Sequence, residues 1–363
     1  MAILINNKIK AIIFGESHGK AIGVTISGFP VGIEIDSHFI EKKLLQRQAK
    51  KSSYSTSRIE SDKFTILSGV YQNKTTGEPI TAICENSNQI SADYSKTSNL
   101  YRPSHADYTA DIRYKGFSDP RGGGHFSGRL TAPMVFLGAL CEIALKKHNI
   151  KVFAHIKKIK DIKDKACASA SLQELENIKN NSLPVINPQI IPELEQLFDQ
   201  YRAANDSLGG IVEATIKNVK PGIGATHAES LESRLSSLLF AIPAVKGIEF
   251  GMGFEFANTS SQFANDEMMI IDNKISSLSN NNGGIIGGIS TGEDICFKIA
   301  FKSVPSISLE QKTVNKATKE NETISIKGRH DVCFVPRTIP IVEGLGALMV
   351  LDAYLEAFGY EGY

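Results

Sequence analysis

The sequence predicts an α+β fold: a layered β-α-β sandwich, with buried helices between antiparallel sheets and two pseudo-repeated halves. Three observations carry the prediction. Segments 21–27 (AIGVTIS) and 210–219 (GIVEATIKNV) alternate apolar and polar residues with period two, as half-buried antiparallel strands do. Each is followed by a turn containing proline and glycine and then by a helical stretch, GFPVGIEIDSHFIEKKLLQRQ and NVKPGIGATHAESLESRLSSLLFAI, so one strand–turn–helix unit stands in each half. Finally, TAPMVFLGALCEIALKK (131–147) and IVEGLGALMVLDAYLEAF (341–358) are apolar nearly all round, and a helix without a polar face belongs between layers.

In chain order, KAIIF (10–14) reads as a strand ahead of 21–27. Helix 131–147 opens with Thr131 as N-cap and Pro133 in its first turn. The Lys-rich, polar stretch 156–189 reads as a peripheral excursion remote from function, and 190–206 as a surface helix. Leu231, Leu235, Leu238 and Ile242 form one apolar helical stripe. The last helix is expected to begin after Pro340. The chain is therefore read as a single domain, 1–363, with halves at roughly 1–150 and 205–363 joined by the peripheral segment 151–204.

Composition narrows the function. With 363 residues, 42% of them hydrophobic, the chain can bury a large core. A net charge of +1 provides no global field, so neither nucleic acid nor membrane is an expected partner, and anion binding must be local. Cys84, Cys141, Cys167, Cys296 and Cys333 are odd in number and contain no C-x-x-C pair, which points away from a disulfide framework or a metal site. The N-terminal stretch carries no apolar h-region with a cleavage site, and the expected compartment is the cytoplasm.

Only ten of the 40 basic residues are arginine, so their positions carry information. Arg47, Arg102, Arg121, Arg129, Arg329 and Arg337 stand in or beside loops rich in glycine, proline or histidine, which suggests a site for anions; Arg202 and Arg234 read as helix-surface ion pairs. The stretch 102–133 holds three consecutive glycines and three of those arginines and leads into a buried helix, an arrangement that can nest phosphate. The stretch 276–292 (SLSNNNGGIIGGISTG) suggests backbone pressed against a flat ligand or another chain. Lys302, Arg329, His330, Asp331 and Arg337 follow soon after it.

GESHG (15–19) fits the G-x-S-x-G pattern of a serine hydrolase, with Ser17 as nucleophile. A nucleophile elbow needs a helix after the turn, yet the period-two strand 21–27 follows, so the match reads as accidental. A metal at His18 lacks a second ligand at suitable spacing.

Taken together, GESHG, RPSHADYT with GGGHFSGR, AVKGIEFGMGF, NNGGIIGGIS and GRHDVC resemble, in order and spacing, the chorismate synthase family. The resemblance spans nearly the whole chain and is weakest between about 150 and 205. It implies conversion of 5-enolpyruvylshikimate 3-phosphate to chorismate by anti 1,4-elimination of phosphate, the last common step toward the aromatic amino acids. It also implies reduced FMN as cofactor without net redox change, with NADPH or an external flavin reductase as the source of reduction, and a homotetramer. By the same resemblance His18 would serve the departing phosphate and His105 the protonation state of the flavin, while Ser17, Ser127 and Asp331 would form a relay. Arg47, Arg102, Arg129 and Arg329 would hold the substrate anions, and Arg47 would also meet NADP if it binds. Flavin contacts would fall at His125, Phe126, Ser127, Ala244, Gly287, Lys302, Ser303, Val304, Pro305, Ser306 and Arg329.

The chain departs from the usual family pattern where His125 and Phe126 replace an Arg and a Ser, where Ser53 replaces an arginine and leaves anion binding to Lys50 or Lys51, and where Pro243 replaces an Asn. These departures motivate a further alternative, a flavin-binding module without turnover.

Overall fold

The computed structural model describes residues 2–49, 54–55, 62–86, 99–326 and 330–360. The first half supplies β1 (Ala2–Ile5), β2 (Lys10–Gly15), β3 (Ala21–Ser27), β4 (Thr65–Ser68), the short arms β5 (Val70–Tyr71) and β6 (Lys74–Thr75), and β7 (Ile80–Glu85). Its helices are α1 (Ser37–Arg47), α2 (Asp107–Tyr114) and α3 (Thr131–Leu145). Then come β8 (Lys151–Ile159), β9 (Ile162–Lys163), α4 (Leu172–Asn177), α5 (Ile191–Ala203), β10 (Gly210–Lys217), α6 (Leu231–Phe240), β11 (Val245–Phe250) and α7 (Ser261–Ala264). The hairpins β12 (Met268–Ile271)–β13 (Lys274–Ser277) and β14 (Ile285–Ile286)–β15 (Ile289–Ser290) precede β16 (Ile295–Phe301), the ribbon β17 (Gln311–Val314)–β18 (Asn321–Ile324), and α8 (Val335–Phe358).

Both strands read from alternation lie at the centre of five-stranded sheets, ordered β1-β2-β3-β7-β4 and β11-β16-β10-β8-β9, with every pairing antiparallel. The apolar sets Ile22, Val24, Ile26 and Val212, Ala214, Ile216 are completely buried. Helices α3 and α8 pack along each other, α3 also touching β3 and α8 touching β8 and β10. Their backbones cross at Gly138 and Gly344, where a Cβ built on Gly138 would stand 2.2 Å from Gly344 Cα. No larger residue allows this approach. The runs Gly128–His148 and Val335–Phe358 are long and apolar enough to cross a membrane, but 89% and 94% of their most apolar windows are buried within the fold. The fold is α+β.

The turns after β3 and β10 are laced alike. Thr75 Oγ1 donates to Pro30 O at 2.6 Å and accepts from Ile33 N at 2.9 Å; Ser290 Oγ donates to Lys220 O at 2.6 Å and accepts from Ile223 N at 2.9 Å. The backbones repeat the pattern, with Gly32 N donating to Thr75 O and Gly222 N donating to Ser290 O.

Three readings change. Residues 151–159, placed in the peripheral connection, form β8, an inner strand of the second sheet. Its alternation was masked because the outward face carries Lys151, Phe153 and His155 and is itself covered by the segment that follows. The last helix begins at Val335, with Pro336 in its first turn and Pro340 inside. Pro336 forfeits no intrahelical bond, because the opening N–H groups have no helical partner, whereas Pro340 forgoes one. The surface helix α5 is anchored by Leu194 and Phe198, both completely buried, with the Phe198 ring 5.4 Å from that of Tyr54.

Asp352 on α8 was not foreseen. Its buried carboxylate accepts the backbone N–H groups of Asn7, Lys8 and Ile9 and pairs with Arg234, tying the β1–β2 turn to the last helix.

Candidate active site

GESHG forms the turn between β2 and β3, opening at Gly15 with φ of +101°. A strand leaves the turn, so the hydrolase elbow is absent. Ser17 and His18 are 4% and 2% exposed, roofed by the 121–126 turn. There Gly122, Gly123 and Gly124 take φ of +59°, +89° and +54°, a left-handed run open to glycine and strained for any other residue. Gly124 O accepts from both Ser17 N at 3.1 Å and Ser127 N at 3.4 Å, which brings the two serine segments together. A Cβ on Gly122 would stand 2.6 Å from His18 Nε2 and 2.9 Å from Ser17 Oγ. Any side chain at Gly122 would collide with both groups.

Arg47, the last residue of α1, and Arg129 share one carboxylate, that of Asp62, which is completely buried. Arg47 Nε and Nη2 reach Asp62 Oδ2 at 3.1 and 2.8 Å, while its Nη1 donates to Thr131 Oγ1 at 3.2 Å. Arg129 pairs through Nη1 with Asp62 Oδ1 and donates through Nε to Asn86 Oδ1 at 3.1 Å and through Nη2 to Cys84 Sγ at 3.3 Å. Burial pulls the Arg47 guanidinium down from its usual range; Asp62 opposes this, and Arg337 and Arg129 add to it. Among the described residues, two cations meet one anion here. Ser127 caps the turn by accepting from Arg129 N at 3.3 Å.

A second group gathers around His105. Its Nε2 lies 2.7 Å from Ser306 Oγ. Burial, with Arg102, Lys302 and His330 nearby, pulls the imidazole down to about 4 against the attraction of Asp107. It is neutral at physiological pH. Arg102 forks onto Asp107 at 2.8 and 2.7 Å. Lys302 Nζ donates to Ser104 O at 2.6 Å, and its backbone N donates to Ala244 O at 3.0 Å, with Ala244 held at φ of +75°. Ser303, Val304 and Pro305 are half-buried between these anchors, and Val304 O accepts from Ser207 Oγ at 2.6 Å. The predicted residues His105, Ala244, Lys302 and Ser306 are thus brought together.

His125 and Phe126 stack at 4.1 Å between ring centroids, and the Tyr114 ring of α2 meets His125 edge-on at 5.1 Å. Gly287, at φ of +63°, turns the β14–β15 hairpin into open space. Asp331 accepts from Arg337 Nη1 at 2.7 Å and from Ser55 Oγ at 3.4 Å, and Arg337 Nε donates to Arg47 O at 2.9 Å, linking Asp331 to the group of Arg47. Arg329, Lys50, Lys51 and Ser53 lie outside the described residues. Buried Nε2 atoms of His125 and His330 have no hydrogen-bond partner among the described residues. Such atoms suit a ligand rich in polar atoms.

Sequence reasoning missed Asp62, Asn86 and Asp107, the partners of the predicted arginines. Asp62 is 15 residues from Arg47 and 67 from Arg129, in a stretch without apolar periodicity.

A family model described as chorismate synthase matches residues 9–355. Chorismate synthase of Thermococcus kodakarensis is 41% identical over 350 residues, covering 96% of this chain and 97% of that one; that of Methanosarcina mazei is 40% identical, covering 95% and 93%. A crystal structure of chorismate synthase superposes with a TM-score of 0.76 at 27% identity over 97% of this chain and 93% of that one. The fold, the buried imidazoles and these matches define the class first: a carbon–oxygen lyase acting on a small molecule. The chain belongs to the chorismate synthase family, whose reaction forms chorismate in the shikimate pathway, toward the aromatic amino acids.

Proposed function

We propose that the protein removes phosphate from 5-enolpyruvylshikimate 3-phosphate by anti 1,4-elimination, with reduced FMN in the site. The observation that carries this reading is the local geometry of separate blocks: GESHG lies under the triple glycine, His105 sits with Ser306 beside Lys302, and Asp331, Arg337 and the Arg47 carbonyl form one hydrogen-bonded chain. The residues fit a flavin: orphaned imidazole nitrogens at His125 and His330, the aromatic pair His125–Phe126, and the loop 302–306 with Ala244. When bound, reduced flavin supplies transient electron density to a substrate whose ring hydrogen is not acidic.

The chain's own residues manage charge and protons. His18, packed directly beneath Gly122, gives a proton to the leaving phosphate. His105, neutral at pH 7, accepts at Nε2 or donates to Ser306 and holds the flavin's proton balance. Ser17 and Ser127, joined at Gly124 O, relay protons together with Asp331. Arg102, Arg329 and the positive charge of Arg47 and Arg129 hold the substrate's phosphate and carboxylates, and Arg47 meets NADP where NADPH is the reductant. Arg47 and Arg129 act chiefly through this field, because their N–H groups are engaged by Asp62, Thr131, Asn86 and Cys84.

We place the protein in the cytoplasm as a homotetramer. The exposed apolar residues of β12, Met268 to Ile271, support a subunit interface. The helix contacts and the twin-laced turns support a β-α-β sandwich of two pseudo-repeated halves in one domain. Anaerobic assay with chemically reduced FMN should release phosphate. A parallel run with oxidised FMN and NADPH separates intrinsic flavin reduction from dependence on an external reductase. Absence of phosphate release at every concentration of reduced flavin would overturn the proposal.

A further inference from the structure

A cavity of about 390 Å³ opens between α1, α3, α8, β8 and the 175–184 stretch, sharing Arg337 with the site above. Pockets of this size take small molecules. Its apolar wall includes Phe39, Leu145, Val152, Phe153, Pro184 and Ile339. Set into that wall is an ion triad: Lys43 Nζ lies 2.6 Å from Glu142 Oε2 and 2.7 Å from Glu343 Oε2. Glu343 Oε1 is satisfied by Ala154 N at 3.1 Å. Glu142 Oε1 is buried and has no hydrogen-bond partner among the described residues. An acceptor so placed is costly unless a donor reaches it. One ammonium facing two carboxylates also leaves a negative charge unanswered, and burial, with Glu343 adding and Lys43 opposing, pushes Glu142 up to about 7. At the rim, Lys42 and Lys179 are exposed and carry no ion pair among the described residues.

These features specify a ligand with a cationic donor, an apolar body and an anionic end. A metal ion would find one buried carboxylate oxygen without a partner among the described residues, beside the Lys43 ammonium, and a simple anion would meet Glu142. We propose that the cavity binds a free α-amino acid with a large apolar side chain, its ammonium on Glu142 Oε1, its side chain on the apolar wall and its carboxylate toward Lys42 and Lys179. Because Arg337 also holds Asp331 and the Arg47 carbonyl, occupancy acts on the geometry of the active site.

The proposal goes beyond the assigned reaction, and its test by binding is independent of that assignment. Isothermal titration of the full chain with L-phenylalanine and L-leucine should show saturable binding. 2-Phenylethylamine and 3-phenylpropionate, each lacking one charged end, should bind about 10-fold or more weakly. Glu142→Gln should weaken the amino acids and the amine by about 10- to 100-fold while sparing 3-phenylpropionate. The surface double variant Lys42→Ala/Lys179→Ala, which leaves the core intact, should weaken only the ligands that carry a carboxylate. A cavity that holds water alone gives no heat with any of these compounds at millimolar concentration, and that result overturns the proposal. So does amino-acid binding that neither variant changes.

Discussion

The two halves share a scaffold but not a chemistry. After β3 and after β10 the chain makes the same turn, pinned by one hydroxyl that donates to a carbonyl and accepts an amide, from Thr75 in the first half and Ser290 in the second. Each half also buries an aspartate against arginine. In the first, Asp62 gathers Arg47 and Arg129 beside the glycine turn; in the second, Asp352 takes Arg234 and three backbone amides, none of them a predicted site residue. The two turns share a backbone hydrogen-bond pattern, while the side chains around them differ.

The comparison can be broken most severely at the imidazoles. His18→Ala and His105→Ala should each lower turnover by about 10²- to 10⁴-fold at unchanged melting temperature. A loss in melting temperature instead would assign them to the scaffold. Next in size are the aspartates. Asp62→Ala removes the carboxylate that Arg47 and Arg129 share, and Asp352→Ala removes one of the two carboxylates on Arg234 and the acceptor of three amides; each should cost about 3–5 kcal/mol in denaturant unfolding. Asp62→Asn should also weaken substrate binding, while Asp352→Asn should leave KM alone; equal effects on KM would erase the distinction. Gly344→Ala, at the shared helix crossing, should cost about 1–3 kcal/mol by overpacking. Thr75→Val and Ser290→Ala should lose about 1–3 kcal/mol each. Unequal losses would show that the two turns are alike in geometry but not in strength.

The smallest effect is one of pH. The His105 value falls to about 4 in the folded protein from an unfolded value of 6.5, so between these pH values the unfolded chain binds more protons. Stability from this group is full above 6.5 and declines as pH falls toward 4. His105→Gln should flatten the slope of melting temperature against pH in that window.

The periodic parts of the fold were legible in the sequence. Central strands 21–27 and 210–217 and the all-apolar helices follow from local alternation and composition, as does the turn at GESHG once a strand is seen to leave it. β8 was hidden because His155, on its polar face, is buried by a later segment and bonded to Asp164 and Glu213 at 2.9 Å each. Pro340 misplaced the start of α8 because proline is read as a boundary, whereas here the helix runs on through it. Within the site, His18, His105, Lys302 and Ser306 were found as candidates, and Asp62 was not. A partner that acts through contact across the chain leaves no spacing rule to detect.

Asp352 has a consequence for biosynthesis. The amides of Asn7, Lys8 and Ile9 leave the ribosome more than 340 residues ahead of their acceptor. The turn between β1 and β2 must wait for this anchor until α8 has been made. Such late closure by distant contacts makes folding slow and places the risk of aggregation on the nascent amino terminus.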